Sequence, residues 1–451
     1  MKVLLINPPT ENMITTNLPS YVDEERGYNP PLGLMYVAAY AKQNTEHKIE
    51  IIDMVAEEIS IEQLKARLRN GKPDVVGITT TTFTLIDAIT VAKAVKETNK
   101  ETKVVLGGIH TYIYPKETVK LPEIDFIICG EGEKPFTNLL ENINNSKSII
   151  SGELVEDLDA LPFPDRHAVK AEKYNSLLAG GVSTTMITSR GCPYNCLFCH
   201  RPHLGKKFRA RSAVNVVNEI KACVEMGINE ILIYDDTFTV DRQRVIEICS
   251  LIITKKIKVA WDIRARVDNI DMEMLKFLKG AGCKRIHYGV ESANAEVLKM
   301  LRKGITLAQV ELAFKMTKEV GIDTLAYFMI GSPGETKEQI MNTISYARKL
   351  QPDYCHFSIT TPFPGTPLYQ MGLEQGIFED YWKEFAMNPT VGFVPEIWNG
   401  KLGRKELEEL LDYAYKSFYT RPSYMLKQLT KIHSFGEFTR KAKAGLRVVS
   451  G

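Results

Sequence analysis

Two successive series of short, β-branched apolar runs alternate with helical patterns along this chain, and the alternation limits the possible folds more than any other feature. In the first series the helical patterns are Leu34 to Thr45, Ile61 to Asn70 and Leu85 to Thr98. The apolar runs around them are Lys2 to Ile6, Ile49 to Asp53, Val75 to Thr79, Val104 to Gly107 and Phe126 to Cys129. This rhythm predicts an α/β, doubly wound (Rossmann-like) parallel sheet that binds ligands outside the carboxyl ends of its strands.

Glycine and threonine collect where these predicted strands end. The stretches are Thr79 to Thr82, Gly107-Gly108 and Gly130-Glu131-Gly132-Glu133, together with a long loop from Asn7 to Pro31. Glycine lets a large ligand approach the backbone, and threonine hydroxyls can donate to a buried acceptor. No G-x-G-x-x-G lies between a strand and a helix and no G-x4-G-K-[ST] occurs, so dinucleotide and P-loop sites are disfavoured. A flavodoxin-like regulatory module is an alternative.

The second series begins near residue 181, after a linker expected at 141–180 that contains Leu161-Pro162-Phe163-Pro164-Asp165-Arg166. A helical pattern at Ala213 to Met226 follows its first apolar run. The runs are Ser183 to Ser189, Glu230 to Tyr234, Lys258 to Ile263, Arg285 to Val290, Thr324 to Ile330 and Tyr354 to Ile359. Six strand-helix units predict a partial (β/α)6 barrel, with its chemistry at the carboxyl ends of the strands.

A run of three cysteines follows the first strand of this series. Cys192, Cys196 and Cys199 form C-x3-C-x2-C within TSRGCPYNCLFCHR, where Gly191 and Pro193 disfavour regular structure. Thiolates at this density select zinc, copper(I) or an iron-sulfur cluster. A structural zinc site closes with four protein ligands, whereas three ligands leave one metal position free for something else to bind.

The cysteine run has two other interpretations. A disulfide framework is disfavoured because the chain has 8 Cys among 451 residues and no secretory signal is expected. A zinc site completed by His200 or His203 is the stronger alternative. The remaining cysteines considered, Cys223, Cys249, Cys283 and Cys355, are dispersed like small buried hydrophobes, and no second C-x-x-C supports another iron-sulfur centre.

With Phe198 just before the third cysteine, the run resembles the cluster-binding motif of the radical S-adenosylmethionine (radical SAM) superfamily. In that family three cysteines hold a 4Fe-4S cluster, and the amino and carboxylate groups of SAM bind the fourth iron. The residues before Cys192 resemble a cobalamin-binding domain. Most of the chain is thus similar to the B12-binding radical SAM enzymes, class B methyltransferases among them, which implies a 4Fe-4S cluster, S-adenosyl-L-methionine and cobalamin as cofactors.

The resemblance implies SAM contacts from Phe198, Asp235, Arg264, Glu291, Ser292, Gly331 and Pro333. The carboxylate of Asp235, in IYDDTFT, would face the methionine amine of SAM, and a helix cap at Asp236 or Thr237 is the alternative. Glu291 lies in G-x-E-S, where burial is costly without a partner. The turn GSPGET would lie by the adenosyl group, and P-x-P-G-T-x-L-Y, from Pro362, is a further family element.

Two arginines follow the third strand of the second series, in WDIRARV. Arg264 and Arg266 alternate with apolar residues and therefore point to one face, where an inward arginine would be able to clamp a carboxylate. Surface pairing is the alternative for at least one of them.

The cobalamin contacts that the resemblance implies are Thr79, Thr80, Thr81, Gly107, Gly108, Gly130 and Glu131. In the family the Thr/Ser stretch and the Gly-Gly step line the channel for the dimethylbenzimidazole tail. The D-x-H-x-x-G motif of methionine-synthase-type domains is absent, because no histidine precedes His47. The cobalt is therefore expected to lack a histidine beneath it, and His110 is expected to be a structural or tail-contact residue.

Length and composition predict several domains in an ordinary globular chain. A length of 451 residues exceeds one ordinary core, and the expected parts are 1–140, 141–180, 181–385 and 386–451. A net charge of +2 does not indicate a general nucleic-acid-binding surface. The sequence has no run of 18 apolar residues, so no membrane-spanning helix is expected. MKVLLINPPT is interpreted as a first strand and not as a signal peptide. A cytoplasmic, reducing location is expected.

The carboxyl-terminal segment, 386–451, is helical and basic from Leu407 onward, with interleaved aromatic residues. Its basic residues after Tyr413 are Lys416, Arg421, Lys427, Lys431, Arg440, Lys441, Lys443 and Arg447, against Glu437 alone. A helical cap over the barrel mouth is one interpretation. A membrane-surface helix or an anionic-substrate contact is the other, and it would make a lipid substrate plausible.

The leading hypothesis is an anaerobic, cobalamin-dependent radical SAM enzyme that generates a 5'-deoxyadenosyl radical and methylates an unactivated carbon of a small-molecule or lipid substrate. It would need an electron donor such as ferredoxin or flavodoxin. The nearest alternative is cyclisation, ring contraction or carbon-carbon coupling with the same cofactors and no methyl transfer. A non-catalytic, zinc-binding cobalamin sensor is the remote alternative. No residue identifies the substrate.

Overall fold

The first of two six-stranded sheets occupies the amino-terminal part of the molecule. The computed structural model describes residues 1–15, 29–175, 181–200, 204–398 and 400–430. The strands are β1 (Lys2–Asn7), β2 (Lys48–Asp53), β3 (Val75–Thr79), β4 (Lys103–Gly107), β5 (Phe126–Cys129) and β6 (Ile149–Ser151). The helices are α1 (Leu32–Asn44), α2 (Ile61–Gly71), α3 (Leu85–Thr98), α4 (Ile109–Ile113), α5 (Pro115–Thr118) and α6 (Glu133–Glu141).

This first sheet is parallel and buried on both faces. Its strand order is β2-β1-β3-β4-β5-β6, so the order reverses between β1 and β3. In β1, Leu4 and Ile6 belong to one apolar core, whereas Val3 and Leu5 belong to a second core on the opposite face. A sheet with helices on both faces is doubly wound, which confirms the fold predicted from the alternation.

The second sheet is also parallel and six-stranded, in the order β14-β13-β12-β11-β10-β7. Its strands are β7 (Ser183–Met186), β10 (Glu230–Ile233), β11 (Ala260–Ala265), β12 (Cys283–Glu291), β13 (Asp323–Ile330) and β14 (Tyr354–Ile359). The helices between them are α7 (Ala213–Glu225), α8 (Arg242–Thr254), α9 (Met272–Gly280), α10 (Ala295–Met300), α11 (Leu307–Glu319) and α12 (Lys337–Leu350). This is the expected partial (β/α)6 barrel.

Period-two alternation gives the barrel sheet two different faces. In β12, Ile286, Tyr288 and Val290 belong to the apolar core under the helices. The residues between them, such as His287 and Gly289, therefore face the other side, which we call the lumen. A small antiparallel ribbon, β8 (Ser189–Arg190) with β9 (Arg209–Ala210), follows β7 and brackets the cysteine run.

The segment after the barrel covers one edge of the second sheet. Its helices are α13 (Pro367–Glu374), α14 (Tyr381–Met387), α15 (Arg404–Tyr419) and α16 (Pro422–Thr430). From α15, the hydroxyl of Tyr415 donates to the Phe357 carbonyl at 2.9 Å, and that of Tyr419 donates to the Cys355 carbonyl at 2.6 Å. These bonds satisfy backbone groups of β14 that an uncovered edge strand would leave open.

The same segment also contacts the first sheet's helices. Trp382 and Phe385 of α14 lie in one apolar cluster with Leu85 and Ile89 of α3 and with Tyr114. Phe83 packs edge-on against the Trp382 ring, with 6.1 Å between centroids. The amino-terminal sheet and the carboxyl-terminal segment therefore share a core.

Some predicted boundaries differ from the structure. The first sheet continues past residue 140, because β6 pairs with β5 inside the segment that was expected to be a linker. The run Ser183 to Ser189 is divided between β7 and β8. Of the basic carboxyl-terminal residues, Lys431, Arg440, Lys441, Lys443 and Arg447 lie outside the described residues. Across the described ranges, no helix combines the length and apolarity needed to cross a bilayer.

Candidate active site

The three cysteines lie on the loop between β8 and β9. Cys192 and Cys196 are buried, Cys199 is partly exposed, and none of the three is in a disulfide. Gly191 begins the loop with φ +85°, and a Cβ there would lie 2.3 Å from the carbonyl oxygen of Lys207. Only glycine fits this position, because its backbone passes directly under the returning arm of the loop.

Backbone hydrogen bonds hold this cysteine loop across the carboxyl end of the barrel. The amide of Leu197 donates to the Leu301 carbonyl at 2.9 Å, and the amide of Leu368 donates to the Leu197 carbonyl at 2.8 Å. Nδ1 of His200 lies 2.9 Å from the carbonyl oxygen of Gly365. These partners follow β12 and β14, so the loop lies over strand ends, where barrel enzymes place chemistry.

The donor set of the loop fits an iron-sulfur cluster. In such a cluster each cysteine thiolate binds a different iron, so the sulfurs need not meet at one point. Within the described ranges, no three His, Cys, Asp or Glu side chains are grouped closely enough to hold a single metal ion. Of the two histidines considered for zinc, His200 contacts Gly365 and His203 lies outside the described residues.

Glu291 ends β12 beside the cysteine loop in a strained conformation. Its φ is +68°, unusual for a residue with a side chain, and the pairing register with β13 shifts at this point. Nζ of Lys303 lies 2.7 Å from Oε1 of Glu291 and 5.9 Å from the centroid of the Phe198 ring. A Cβ on Gly289 would lie 2.4 Å from the same carboxylate. Glu291 therefore has a partner within the protein, and the SAM contacts of Glu291 and Phe198 stay predictions.

Two residues expected to contact SAM, Asp235 and Ser292, have hydrogen-bond partners within the protein. The carboxylate of Asp235 is buried and accepts hydrogen bonds from the Thr188 amide, the Thr188 hydroxyl and the Ser189 hydroxyl, each at 2.6 Å. It fixes the approach to the cysteine loop. Ser292 has no exposed surface, and its hydroxyl lies 3.2 Å from that of Thr343 on α12. The register shift at Glu291 turns Ser292 toward the helices, and its SAM contact stays a prediction.

The turn after β13 contains an unusual carboxyl group. Gly331 has φ +76°, and a Cβ there would meet the Leu407 side chain of α15, whereas Pro333 is partly exposed. Oε2 of Glu335 accepts from the Ser332 amide at 3.0 Å, and Oε1 is buried without a hydrogen-bond partner among the described residues. Burial raises the pKa of Glu335 to about 7. Adenosyl contacts from Gly331 and Pro333 stay a prediction.

The two arginines after the third barrel strand differ in their pairing. Arg266 makes three hydrogen bonds of 2.9 Å, two to Asp268 and one to the Lys303 carbonyl. This pairing is buried, with Arg266 6% exposed, and so differs from the surface pairing given as the alternative for at least one arginine. The Arg264 guanidinium donates to the Ile233 carbonyl at 2.5 Å and lies 3.7 Å from the centroid of the Tyr234 ring. Arg264 keeps 24% of its side chain exposed and further N–H groups available.

The lumen next to Arg264 carries a chain of polar side chains. Nε2 of His287 lies 3.1 Å from Oδ2 of Asp262, and Nδ1 lies 2.9 Å from the hydroxyl of Tyr327. Burial lowers the pKa of His287, so a neutral ring that donates to Asp262 and accepts from Tyr327 satisfies both partners. Oδ1 of Asp262 is buried and lacks a hydrogen-bond partner among the described residues, although Arg264 lies 3.7 Å away.

This lumen opens toward the carboxyl end of the first sheet. The hydroxyl of Tyr234, which lies under Arg264, accepts from the side-chain amide of Asn29 at 3.1 Å. Asn29 belongs to the loop after β1, of which residues 16–28 lie outside the described residues. The Phe83 ring, after β3, also packs against the Phe363 ring, after β14, with 5.3 Å between centroids, so the carboxyl ends of the two sheets face each other.

The expected cobalamin residues divide into two groups. Thr81 is exposed, Thr79 is partly exposed, and a Cβ on Gly107 would meet nothing within 4 Å, so these residues border open space. Thr80 is buried and its amide donates to the Gly107 carbonyl at 2.7 Å. A Cβ on Gly108 would lie 2.4 Å from the Thr80 carbonyl oxygen. The first group fits the approach of a large cofactor, and the second joins β3 to β4.

Gly130 and Glu131 pack against other parts of the protein, and their cobalamin contacts stay a prediction. A Cβ on Gly130 would meet the Gly152 carbonyl at 3.1 Å. Glu131 is buried and pairs with Arg190 at 3.2 Å and with Arg209 at 2.6 Å. This loop therefore contacts the ribbon around the cysteine loop.

His110 is fully buried behind the Gly-Gly step. Its Nδ1 lies 3.1 Å from the hydroxyl of Thr82, and burial lowers its pKa to about 3. Its Nε2 has no hydrogen-bond partner among the described residues. The expectation that His110 is a structural or tail-contact residue stays a prediction, and the orphaned nitrogen is compatible with both roles.

Sequence reasoning missed several residues of this site. Lys303, Arg190 and Arg209 were not singled out, because their partners are distant in the chain. The lumen residues Asp262 and His287 carried a usable signal, since each alternates with core residues in a predicted strand.

Two family models match the chain. The model of the radical SAM superfamily matches residues 186–347, and that of the B12 binding domain matches residues 21–140. An uncharacterized methyltransferase of Pyrococcus horikoshii is 34% identical, with 96% of each chain covered. The anaerobic magnesium-protoporphyrin IX monomethyl ester cyclase of Rubrivivax gelatinosus is 29% identical over 96% of this chain and 80% of its own.

A similar fold occurs among solved structures. The cobalamin-dependent S-adenosylmethionine radical enzyme OxsB, with aqua-cobalamin and S-adenosylmethionine bound, matches with a TM-score of 0.71. It is 17% identical, and the match covers 99% of this chain and 72% of OxsB. At this identity the likeness shows the fold.

Proposed function

The chain belongs to the radical SAM superfamily, among the enzymes with an amino-terminal B12-binding domain, and from that premise we propose that it methylates an unactivated carbon of a small-molecule substrate. The support is one arrangement: three cysteines lie on a loop at the barrel's strand ends, which face the carboxyl end of the first sheet. A radical formed near the loop would thus be close to a methyl donor in the first sheet.

The residues divide the work between two cofactor sites. When bound, a 4Fe-4S cluster supplies the electron that splits SAM into a 5'-deoxyadenosyl radical, and cobalamin supplies the methyl group. We propose that Cys192, Cys196 and Cys199 hold the cluster and that Glu291, with Lys303, orients SAM beside it. Thr81 and Gly107 would border the cobalamin. The chain's own contribution is to hold these groups in register and to exclude water.

The lumen favours a substrate with polar groups. Many barrels fill this space with branched aliphatic side chains, but here it holds Asp262, His287, Tyr327 and Arg264. A buried carboxylate oxygen without a donor is costly, and a substrate N–H or O–H would satisfy Oδ1 of Asp262. Arg264 would suit an acidic substrate group. A small molecule with polar functions fits this lining better than a purely hydrocarbon lipid does.

The proposal is tested with anaerobically reconstituted protein, deuteromethyl-SAM and a polar metabolite extract. Methylation predicts a labelled product, with S-adenosylhomocysteine and 5'-deoxyadenosine formed in equal amounts. The variant with all three cysteines changed to alanine should lose the iron and both SAM products. Retention of iron by that variant, or binding of zinc by the wild-type protein, would refute the assignment of the cluster.

Radical chemistry without methyl transfer is a second candidate, which the cyclase of Rubrivivax gelatinosus supports through its similarity along most of this chain. In that case 5'-deoxyadenosine would accompany a product that carries no deuterium. S-adenosylhomocysteine would then not track product formation.

We also propose a low-potential electron donor of the ferredoxin or flavodoxin type and a reducing, cytoplasmic location. The three cysteines proposed as cluster ligands support both, because thiolate ligands persist only under reducing conditions. A membrane-surface contact through the basic segment depends largely on residues outside the described ranges, and no nucleic-acid partner is proposed.

A further inference from the structure

Four buried charged side chains connect the first sheet to the cysteine loop. Glu131 and Glu133 follow β5, whereas Arg190 and Arg209 lie on the β8/β9 ribbon. The Arg190 guanidinium lies 3.2 Å from Glu131 and 2.5 Å from Glu133, and NH2 of Arg209 lies 2.6 Å from Glu131. We call these four residues the ion quartet.

The charges of the ion quartet sum to zero, and all four side chains are buried. It contains two carboxylates and two guanidinium groups, and each side chain is at most 7% exposed. Taking such charges out of water costs about as much as their attraction returns, so a buried quartet is a poor source of net stability. Its geometry is nevertheless specific, because a planar guanidinium group donates its hydrogen bonds only within its own plane. The quartet therefore fixes position more than it adds stability.

Both arms of the cysteine loop end in this quartet. Arg190 directly precedes Gly191 and Cys192, where the loop begins. At the returning arm, Arg209 donates to the Leu204 carbonyl at 2.7 Å and to the Val155 carbonyl. Oε2 of Glu131 also accepts from the Val155 amide at 2.7 Å. The loop after β5 thus determines where the cysteine loop starts and where it closes.

We propose that Arg190 is a positioning residue, held by Glu131 and Glu133, through which the amino-terminal sheet sets the placement of the cysteine loop. The inference rests on the proposed function, since it assigns the loop to a 4Fe-4S cluster. It gives the Gly130-Glu131-Gly132-Glu133 sequence a role in joining the two cofactor sites. A substitution of Glu131 or Glu133 should therefore alter the cluster, although neither residue is proposed to bind it.

The test uses the full chain, reconstituted anaerobically with iron, sulfide and hydroxocobalamin, with the variants Glu133→Gln, Arg190→Gln and Arg190→Lys. The matched control is Asp125→Asn. Asp125 lies at the opposite end of β5, where it pairs with Lys96 at 2.6 Å and accepts from the Val104 amide. The readouts are the EPR spectrum of the reduced cluster with and without SAM, the bound cobalamin, the unfolding temperature, and 5'-deoxyadenosine formation without substrate.

Glu133→Gln and Arg190→Gln are expected to change the EPR line shape and its response to SAM, and to slow 5'-deoxyadenosine formation roughly tenfold or more. Arg190→Lys should restore part of both, because it keeps the charge and loses the fork. Asp125→Asn should lower only the unfolding temperature.

The inference is overturned if Glu133→Gln and Arg190→Gln behave like Asp125→Asn, with a lower unfolding temperature and wild-type spectra. A wild-type protein that binds the cluster but never cleaves SAM would contradict the proposed function instead. In that case the EPR spectra of the variants would still decide the role of Arg190.

Discussion

Glu219 on α7 lies between two buried arginines, and replacing it with glutamine removes the charge that they share. Oε1 of Glu219 lies 2.6 Å from Arg166, and Oε2 contacts Arg211. The Glu219 side chain has no exposed surface, and each arginine side chain is 5% exposed. Both contacts are ion pairs by their N–O distance. Among the described residues, no donor meets the angle required for a hydrogen bond to either Glu219 oxygen. Glutamine keeps the shape but removes the carboxylate charge that the two buried cations share.

The expected loss is large. Removing one partner of a buried ion pair typically costs about 3–5 kcal/mol, and the free energy of unfolding of a domain is about 5–15 kcal/mol. The matched control lies on the same helix. Glu225 pairs with Lys221 at 3.5 Å, and the two side chains are 65% and 59% exposed, so Glu225→Gln should cost no more than about 1 kcal/mol.

Urea unfolding of the cofactor-free protein measures both variants. The chain's three tryptophans, Trp261, Trp382 and Trp398, all lie in or after the barrel, so their emission reports on that part of the molecule. Glu219→Gln should lower the unfolding midpoint with little change in slope. If Glu219→Gln lost no more stability than Glu225→Gln, the reasoning that this buried carboxylate compensates two arginines would be refuted.

Three further outcomes are expected. Burial raises the pKa of Glu335 to about 7 from an ordinary 4.5, so the folded state favours the protonated carboxyl. The free energy of unfolding should therefore fall as pH rises from 4.5 to 7. Urea titrations should show that Glu335→Gln removes this dependence. Gly289→Ala should weaken SAM binding roughly tenfold, measured calorimetrically on the reconstituted protein, because its Cβ would displace the Glu291 carboxylate; unchanged affinity would argue against a SAM contact there. Once a labelled product is identified, Tyr327→Phe should raise the substrate KM and leave substrate-free 5'-deoxyadenosine formation intact. Tyr288→Phe, which removes a hydroxyl on the helix side of the sheet, should change neither, and equal effects of the two would contradict a substrate role for the lumen.

Strand positions in the first sheet followed from the sequence because buried parallel strands are nearly continuous β-branched runs, as Val75–Thr79 illustrates. The strand Ile149–Ser151 was missed. It has three residues at a sheet edge, all at least partly exposed, and so carries no apolar run.

The site was less accessible to sequence reasoning, for two physical reasons. Ion pairs join residues that are far apart in the chain, as with Glu131 and Arg209, 78 positions apart, and no local pattern records them. A register shift also breaks the alternation that assigns faces. Beyond the shift at Glu291, the face of Ser292 could not be counted from the strand.

The shared core of Trp382, Phe385, Leu85 and Tyr114 restricts how proteins of this design can be recombined. A chimera whose exchanged part ends with the last barrel strand would separate the two halves of this cluster. Each half would then meet a surface from another protein that does not match it. The amino-terminal sheet and the carboxyl-terminal segment should therefore be exchanged together. Substitution of lumen side chains, with both parts kept, is the better route to new catalysts of this kind.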